Sequence, residues 1–305
     1  MTAHHRHPLD RLRAYVLPEG NVQICFSGGR TSAYMLHQIA EANGGIPEER
    51  TQVVFANTGR EWPATLDFVA EVGQRWGIGI TWVEYRRGMP GFEVVGHQGA
   101  SRNGEPFDAL IDAKKYLPNV MQRFCTQDLK IKPAARYFKS LGWNRGTSAV
   151  GIRADETHRL PDQAKSRKKR LAEESRKKRW ALWHPLVAAG ISKHDVALFW
   201  RAQPFDLRLE LVRGVTPRGN CDGCFLKSEA SRAALIRDYP ERAAWWEAAE
   251  ARIGSLPNHK RKRAYGAWFD KRGSWFALSH FVKRHGNFDF DGTDLLCQRD
   301  EGECI

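Results

Sequence analysis

Three groups of residues in this 305-residue chain have types and spacings that could do chemistry. The segment Ser27-Gly28-Gly29-Arg30-Thr31-Ser32 strings backbone N–H groups across two glycines and opens a predicted helix, whose N-terminus favours negative charge. Hydroxyls at Ser27, Thr31 and Ser32 and the charge of Arg30 suit phosphate oxygens, although a tight structural turn shares the pattern. Cys221-Asp222-Gly223-Cys224 brings two thiolates within reach of one metal centre. Spacing alone leaves iron–sulfur, zinc and redox-active thiols open. In Gly151-Ile152-Arg153-Ala154-Asp155-Glu156, Arg153 directly follows a predicted strand and could clamp phosphate or sulfate bidentately. Asp155 and Glu156 could orient it or hold Mg²⁺, with Arg159 assisting; a surface ion-pair cluster is the plainer reading.

Positioning these groups requires alternating strands and helices. Residues 21–26, 52–56, 80–85 and 148–152 read as strands, the run 180–187 as a last one, and 31–39, 63–76 and 127–141 as helices. The alternation predicts an α/β fold: a mainly parallel twisted sheet with helices on both faces. The Gly-, Pro- and charge-rich stretch 86–118 reads as a lid or binding loop. Ser192 reads as an N-cap, and 229–253 as one aromatic helix. The expected organisation is an N-terminal extension (1–20), a nucleotide-binding α/β domain (21–212) and a smaller helical region carrying the CxxC and a cysteine-bearing tail (213–305).

Composition sets the class. The chain is 42% hydrophobic and 27% charged, as expected of a globular protein. No apolar run approaches the roughly 20 residues of a membrane helix, so a cytoplasmic protein with no membrane partner is expected. Six cysteines are too few for a disulfide scaffold at this length. A net charge of +13 attracts polyanions. Basic blocks at 167–170, 176–179 and 260–263 near Trp180, Trp183, Trp268 and Trp275 suit RNA or DNA with unstacked bases, against the plainer reading of solvated arms and core tryptophans. The histidines form no spaced metal motif, and Cys25 on the first strand reads as core.

Four blocks in order, Phe26 to Ser32, Ala56 to Glu61, Arg123-Phe124-Cys125-Thr126 with Leu129-Lys130 and Pro133, and Gly151 to Glu156, resemble the PP-loop superfamily, specifically its phosphoadenosine-phosphosulfate-reductase-like branch. The resemblance implies that Ser27, Gly28, Gly29, Thr31 and Ser32 hold the phosphate of ATP or a related adenine nucleotide. It also implies that Asn57, Thr58, Gly59 and Glu61 lie near that nucleotide. The usual loop carries Asp where Thr31 stands, which separates binding from cleavage. The resemblance further groups Cys125, Cys221 and Cys224 as ligands of a [4Fe–4S] cluster, with Cys297, Cys304 or an external group as the fourth. The ending Glu303-Cys304 is similar to the mobile tail whose thiolate attacks sulfur in phosphosulfate reductases. Arg153, Lys130 and Cys304 are thus the candidate catalytic residues. The leading expectation is ATP-dependent sulfur transfer, with a nucleic acid as acceptor and an unidentified sulfur or electron donor. The alternatives are thiol-dependent reduction of adenylyl sulfates and non-catalytic nucleotide or nucleic-acid binding.

Overall fold

The structure is a computed structural model and describes residues 8–156, 159–160, 180–212, 216–256, 267–270 and 272–285. Its strands are β1 (Val22–Cys25), β2 (Thr51–Asn57), β3 (Ile80–Tyr85), β4 (Phe92–Val95), β5 (Gly146–Ala149) and β6 (Trp180–Trp183). They form one sheet of order β4-β3-β2-β1-β5-β6. β1 pairs parallel with β2 and β5, β5 pairs parallel with β6, and β4 returns antiparallel on β3. Around it lie α1 (Pro8–Arg13), α2 (Arg30–Asn43), α3 (Pro63–Trp76), α4 (Glu105–Lys114), a π-helical turn (Thr126–Ile131) and α5 (Lys132–Ser140). They are followed by α6 (Pro185–Ala189), α7 (Lys193–Ala202), α8 (Glu229–Asp238), α9 (Pro240–Gly254) and α10 (Trp275–Arg284). This is the mostly parallel α/β architecture that the alternating pattern predicts.

Several expected boundaries move for identifiable reasons. The strand expected over 148–152 starts and ends earlier, as β5. The run 180–187 stops at Trp183 because Pro185 begins α6, where a missing N–H costs nothing. The helix expected over 127–141 opens as a π-turn. There the Lys132 N–H bonds the Gln127 carbonyl five residues back, and Pro133 has no N–H to give. The stretch 86–118 is no bare loop: it holds β4 and α4, and Ser101 pins it by donating its N–H and hydroxyl to the Glu84 carboxylate, both at 2.7 Å. Pro240 divides the helix expected over 229–253 into α8 and α9.

The chain forms two compact units interleaved along the sequence: residues 1–55, 67–81 and 137–207, and residues 56–66, 82–136 and 208–305. In the first, Val22, Ile24 and Cys25 of β1 and the run Val53-Val54-Phe55 of β2 are buried, as central parallel strands require. Trp200 on α7 packs edge-on to Phe68 and stacks on Trp76. Its indole N–H donates to the Arg30 carbonyl at 2.9 Å, tying α7 to the start of α2. Ser192 and Asp195 form a full capping box at the start of α7, as the N-cap reading of Ser192 anticipates. At the start of β5 a Cβ on Gly146 would collide with the Asn21 carbonyl and lie 2.7 Å from the Trp180 ring. Gly146→Ala should therefore destabilise by about 1–3 kcal/mol, read as a lower urea midpoint; an unchanged midpoint would show that the strand edge yields.

The second unit is built on Trp246, Phe107, Phe269 and Trp275, all buried. Glu250 sits among them on α9 and accepts the Phe269 N–H at 3.0 Å and the Trp275 N–H at 2.6 Å. Burial pushes its carboxyl up to about 7, against the opposing pull of those two N–H groups. A raised folded-state value means that the protonated form is favoured by folding. The contribution is complete below the ordinary carboxylate range and is lost as pH rises through about 7. The stability difference between wild type and Glu250→Gln should accordingly shrink between pH 5.5 and 8.5, by on the order of 2–3 kcal/mol. A pH-independent difference in denaturant titrations would contradict this.

Candidate functional site

The Ser27 to Ser32 loop belongs to the first unit. β1 ends at Cys25, Gly28 takes φ 78°, a left-handed conformation that favours glycine, and α2 starts at Arg30 with Gly29 as its N-cap. No side chain caps α2, so its first N–H groups meet whatever approaches the loop. The Ser32 hydroxyl sits 2.9 Å from the Ser27 hydroxyl, accepts the Ser27 N–H at 3.2 Å and donates to the Gly29 carbonyl at 3.0 Å. These bonds close the turn into a ring bearing two serine hydroxyls.

Arg30 does not aim into this ring. Its Nε and Nη2 donate to Asp206, both at 2.7 Å, and Nη2 also to the Leu207 carbonyl at 2.5 Å. The guanidinium thus anchors the loop, a role that spacing could not reveal because Asp206 lies far along the chain. Burial pushes the Cys25 thiol up to about 12, so Cys25 is a core residue and no nucleophile.

Arg153 reaches the loop from the turn after β5. Its Nη1 donates to the Thr31 hydroxyl at 3.1 Å, and its Nε to Asp155 at 2.9 Å. The Glu156 carboxylate accepts the Arg153 N–H at 2.9 Å and Arg159 Nη1 at 2.7 Å, while Asp155 also accepts the Lys193 N–H at 2.9 Å. Both acids thus orient Arg153 and its turn. Ser27, Thr31, Ser32 and Arg153 are brought together, and the loop residue in hydrogen-bond contact with Arg153 is a neutral hydroxyl.

In the second unit the Asn57 to Glu61 turn uses the same device. The Glu61 carboxylate accepts the Thr58 N–H and the Thr58 hydroxyl, both at 2.9 Å, three residues apart as in the Arg153 turn. Asn57 is buried, donating to Glu84 at 2.6 Å and to the Ser101 carbonyl at 2.9 Å, with its own carbonyl accepting the Gly59 N–H. Cys221 Sγ lies 3.3 Å from the Thr58 hydroxyl and 4.0 Å from Glu61. Between the cysteines, fully buried Asp222 pairs with Arg60 and Arg242, each at 2.6 Å, and accepts the Trp246 indole N–H at 2.8 Å. Gly223 has no room for a side chain, because a Cβ would run into that indole.

Cys125 and Cys224 are half-buried and pack against the same hydrophobic cluster that contains Cys221. Among the described residues, however, no three His, Cys, Asp or Glu side chains are grouped to hold a metal ion. The expected set of Cys125, Cys221 and Cys224 is therefore not assembled as ligands here. Cys221 faces Thr58 and Glu61 instead, and Cys297 and Cys304 lie outside the described residues, as do the three basic blocks. Lys130 is half-buried on the π-turn, where its neighbour Asp128 is paired with Lys114 and Lys132.

The residues missed from sequence are Asp206, Asp222, Arg60 and Arg242. Two of them carried a local signal, Asp222 as a lone acid inside the CxxC turn and Arg60 inside the Ala56 to Glu61 block. Removing the carboxylate in Asp206→Ala should cost about 1–3 kcal/mol by unpairing buried Arg30, seen as a lower melting temperature; an unchanged one would show that the Leu207 carbonyl suffices.

A Gly-Gly turn between a parallel strand and a helix, with a cation delivered from a neighbouring strand's turn, defines an α/β protein of the PP-loop kind. Residues 21–203 match the model of the phosphoadenosine phosphosulfate reductase domain, and the chain belongs to that family. It is 33% identical over 223 residues to the uncharacterised nin region protein ORF290 of Escherichia phage lambda, spanning 70% of this chain and 69% of that protein. Among solved structures, it is similar to a phosphoadenylyl-sulfate reductase of Candida auris in a phosphate complex (19% identity, TM-score 0.41, 66% of this chain and 83% of that one). It is also similar to the U34-tRNA thiolase NcsA of Methanococcus maripaludis with its [4Fe–4S] cluster (17% identity, TM-score 0.42, 84% and 82%). No helix among the described residues is long and apolar enough to cross a membrane.

Proposed function

We propose that this chain is an enzyme of sulfur chemistry that binds a phosphorylated adenine nucleotide on the Ser27 to Ser32 loop. The observation that carries the reading is the Arg153 to Thr31 hydrogen bond beside the uncapped start of α2. Backbone N–H groups, the Ser27 and Ser32 hydroxyls and a guanidinium held by Asp155 and Glu156 make a cradle for an anion with several oxygens. The family to which the chain belongs favours an adenine nucleotide as that anion.

In the sulfur-transfer form of the reading, an acceptor oxygen attacks the α-phosphorus of ATP, pyrophosphate leaves, and sulfide from the donor then attacks the activated acceptor carbon and displaces AMP. The acceptor is a nucleic acid, for which the net charge of +13 is the support. Arg153 stabilises charge growing on phosphate oxygens, and Thr31, where a carboxylate is usual, keeps that corner of the loop cationic. Mg²⁺ bound to the phosphates would serve the same end. Cys125, Cys221 and Cys224 have the thiolate chemistry of iron–sulfur ligands, but they do not converge as a set among the described residues. The proposed steps therefore rest on the nucleotide and its cradle. Reduction of an adenylyl sulfate is the second reading, favoured by the family match; there the Cys304 thiolate would attack the sulfate sulfur and expel the adenosine phosphate, and a second thiol would then form a disulfide with Cys304 as sulfite leaves. Lys130 is a candidate substrate contact in either form.

Equilibrium binding of ATP, adenylyl sulfate and its 3′-phosphorylated form tests the cradle. Arg153→Ala should weaken the preferred nucleotide about 10- to 100-fold, the equivalent of removing one charged hydrogen bond, with Arg153→Lys in between. Equal affinity in all three proteins would remove the reading. Pyrophosphate release selects transfer, and sulfite release abolished in Cys304→Ser selects reduction.

A further inference from the structure

Helix α10 carries a surface that neither the phosphate loop nor the cysteine turn uses. Its inner side buries Trp275, Ser279 and Val282. Its outer side exposes Phe276 (65%) and Phe281 (44%), with His280, Lys283, Arg284 and His285 exposed around them. Helical spacing orders these groups: His280 follows Phe276 by four residues, Arg284 follows His280 by four and Phe281 by three, and Lys283 returns to Phe276 after two turns. The imidazole of His280 stacks on Phe276 at 6.3 Å, and that of His285 on Phe281 at 4.4 Å. Flat π-faces and cations therefore alternate across one face, and α10 has no Asp or Glu.

We infer that this face of α10 binds single-stranded nucleic acid, with Phe276 and Phe281 as stacking platforms for unpaired bases and Lys283 and Arg284 on the phosphates. Charge complementarity selects the occupant: a helix with cations and no acids, on a chain of net charge +13, matches a polyanion. The alternation selects single strands, because bases offer π-faces to stack only when unpaired. A membrane surface fits less well, since it needs a continuous apolar face, and here His280 and Arg284 separate the two phenylalanines. The surface deepens the nucleic-acid part of the proposed function and stands without the nucleotide cradle.

Fluorescence anisotropy of labelled oligo(U) and oligo(dT) over a salt series tests it on the full-length chain. The double variant Phe276→Ala/Phe281→Ala should bind tenfold or more weakly with an unaltered salt slope. Lys283→Glu/Arg284→Glu should flatten the slope of log affinity on log salt by about 0.7 for each phosphate no longer neutralised. Both variants change exposed side chains only and should keep the wild-type melting temperature and nucleotide affinity, which separates a failure of this inference from a failure of the cradle. Wild-type affinity in both variants would assign binding to the other basic segments and overturn the inference. So would an absence of oligonucleotide binding by the wild type, or binding to phosphatidylserine vesicles in its place.

Discussion

Burying a guanidinium is costly unless its donors are satisfied, and the Ser27 to Ser32 loop is organised around one that is. Arg30, the first residue of α2, turns its side chain into the protein, where Asp206 takes two of its donors and the Leu207 carbonyl accepts a further bond. Its backbone carbonyl accepts the Trp200 indole N–H from α7. The start of α2 is thereby held from both its side chain and its main chain. With Arg30 drawn away, the start of α2 keeps its uncapped backbone N–H groups and its hydroxyls, and the guanidinium beside Thr31 is that of Arg153.

The second unit solves a related problem with the charges reversed. Asp222, without solvent exposure, accepts from Arg60, Arg242, the Trp246 indole and the Gly223 N–H. The Asp222 N–H in turn donates to the Arg60 carbonyl at 2.9 Å. The cysteine turn is consequently fastened to the Thr58 to Glu61 turn through both side chains and backbone, which sets Cys221 beside the Thr58 hydroxyl. Arg60 also lies 4.9 Å from the Trp245 ring, so the ion pair is walled by aromatic surface that keeps water from loosening it.

What is legible in the sequence is what is local. Two glycines before an amphipathic run announce the loop, runs such as Val53-Val54-Phe55 announce buried parallel strands, and Ser192 announces a cap. The elements that differ from expectation turn on single prolines: Pro133 widens a helix start, Pro185 ends a strand and Pro240 splits a helix. The stretch 86–118 reads as a loop because its glycines and prolines mask the short strand at Phe92–Val95. The pairs Arg30–Asp206 and Arg60–Asp222 are not legible, since each joins residues more than a hundred positions apart and nothing in the local pattern names the mate. The direction of Arg153 is open at the level of sequence, because a strand end fixes where a residue sits and not what it touches.

The Thr31 substitution then acquires a physical meaning. A carboxylate at that position would stand against Arg153 and cancel its charge where an anion is to bind. The threonine hydroxyl accepts one guanidinium hydrogen bond without adding negative charge, and the acids that do touch Arg153, Asp155 and Glu156, come from its own turn rather than from the loop. For the anionic ligand of the proposed reading, attraction is therefore kept on the loop side, where position 31 offers a hydroxyl and no carboxylate. On the proposed reading such a loop holds phosphate, and the groups that would cut it come from other residues.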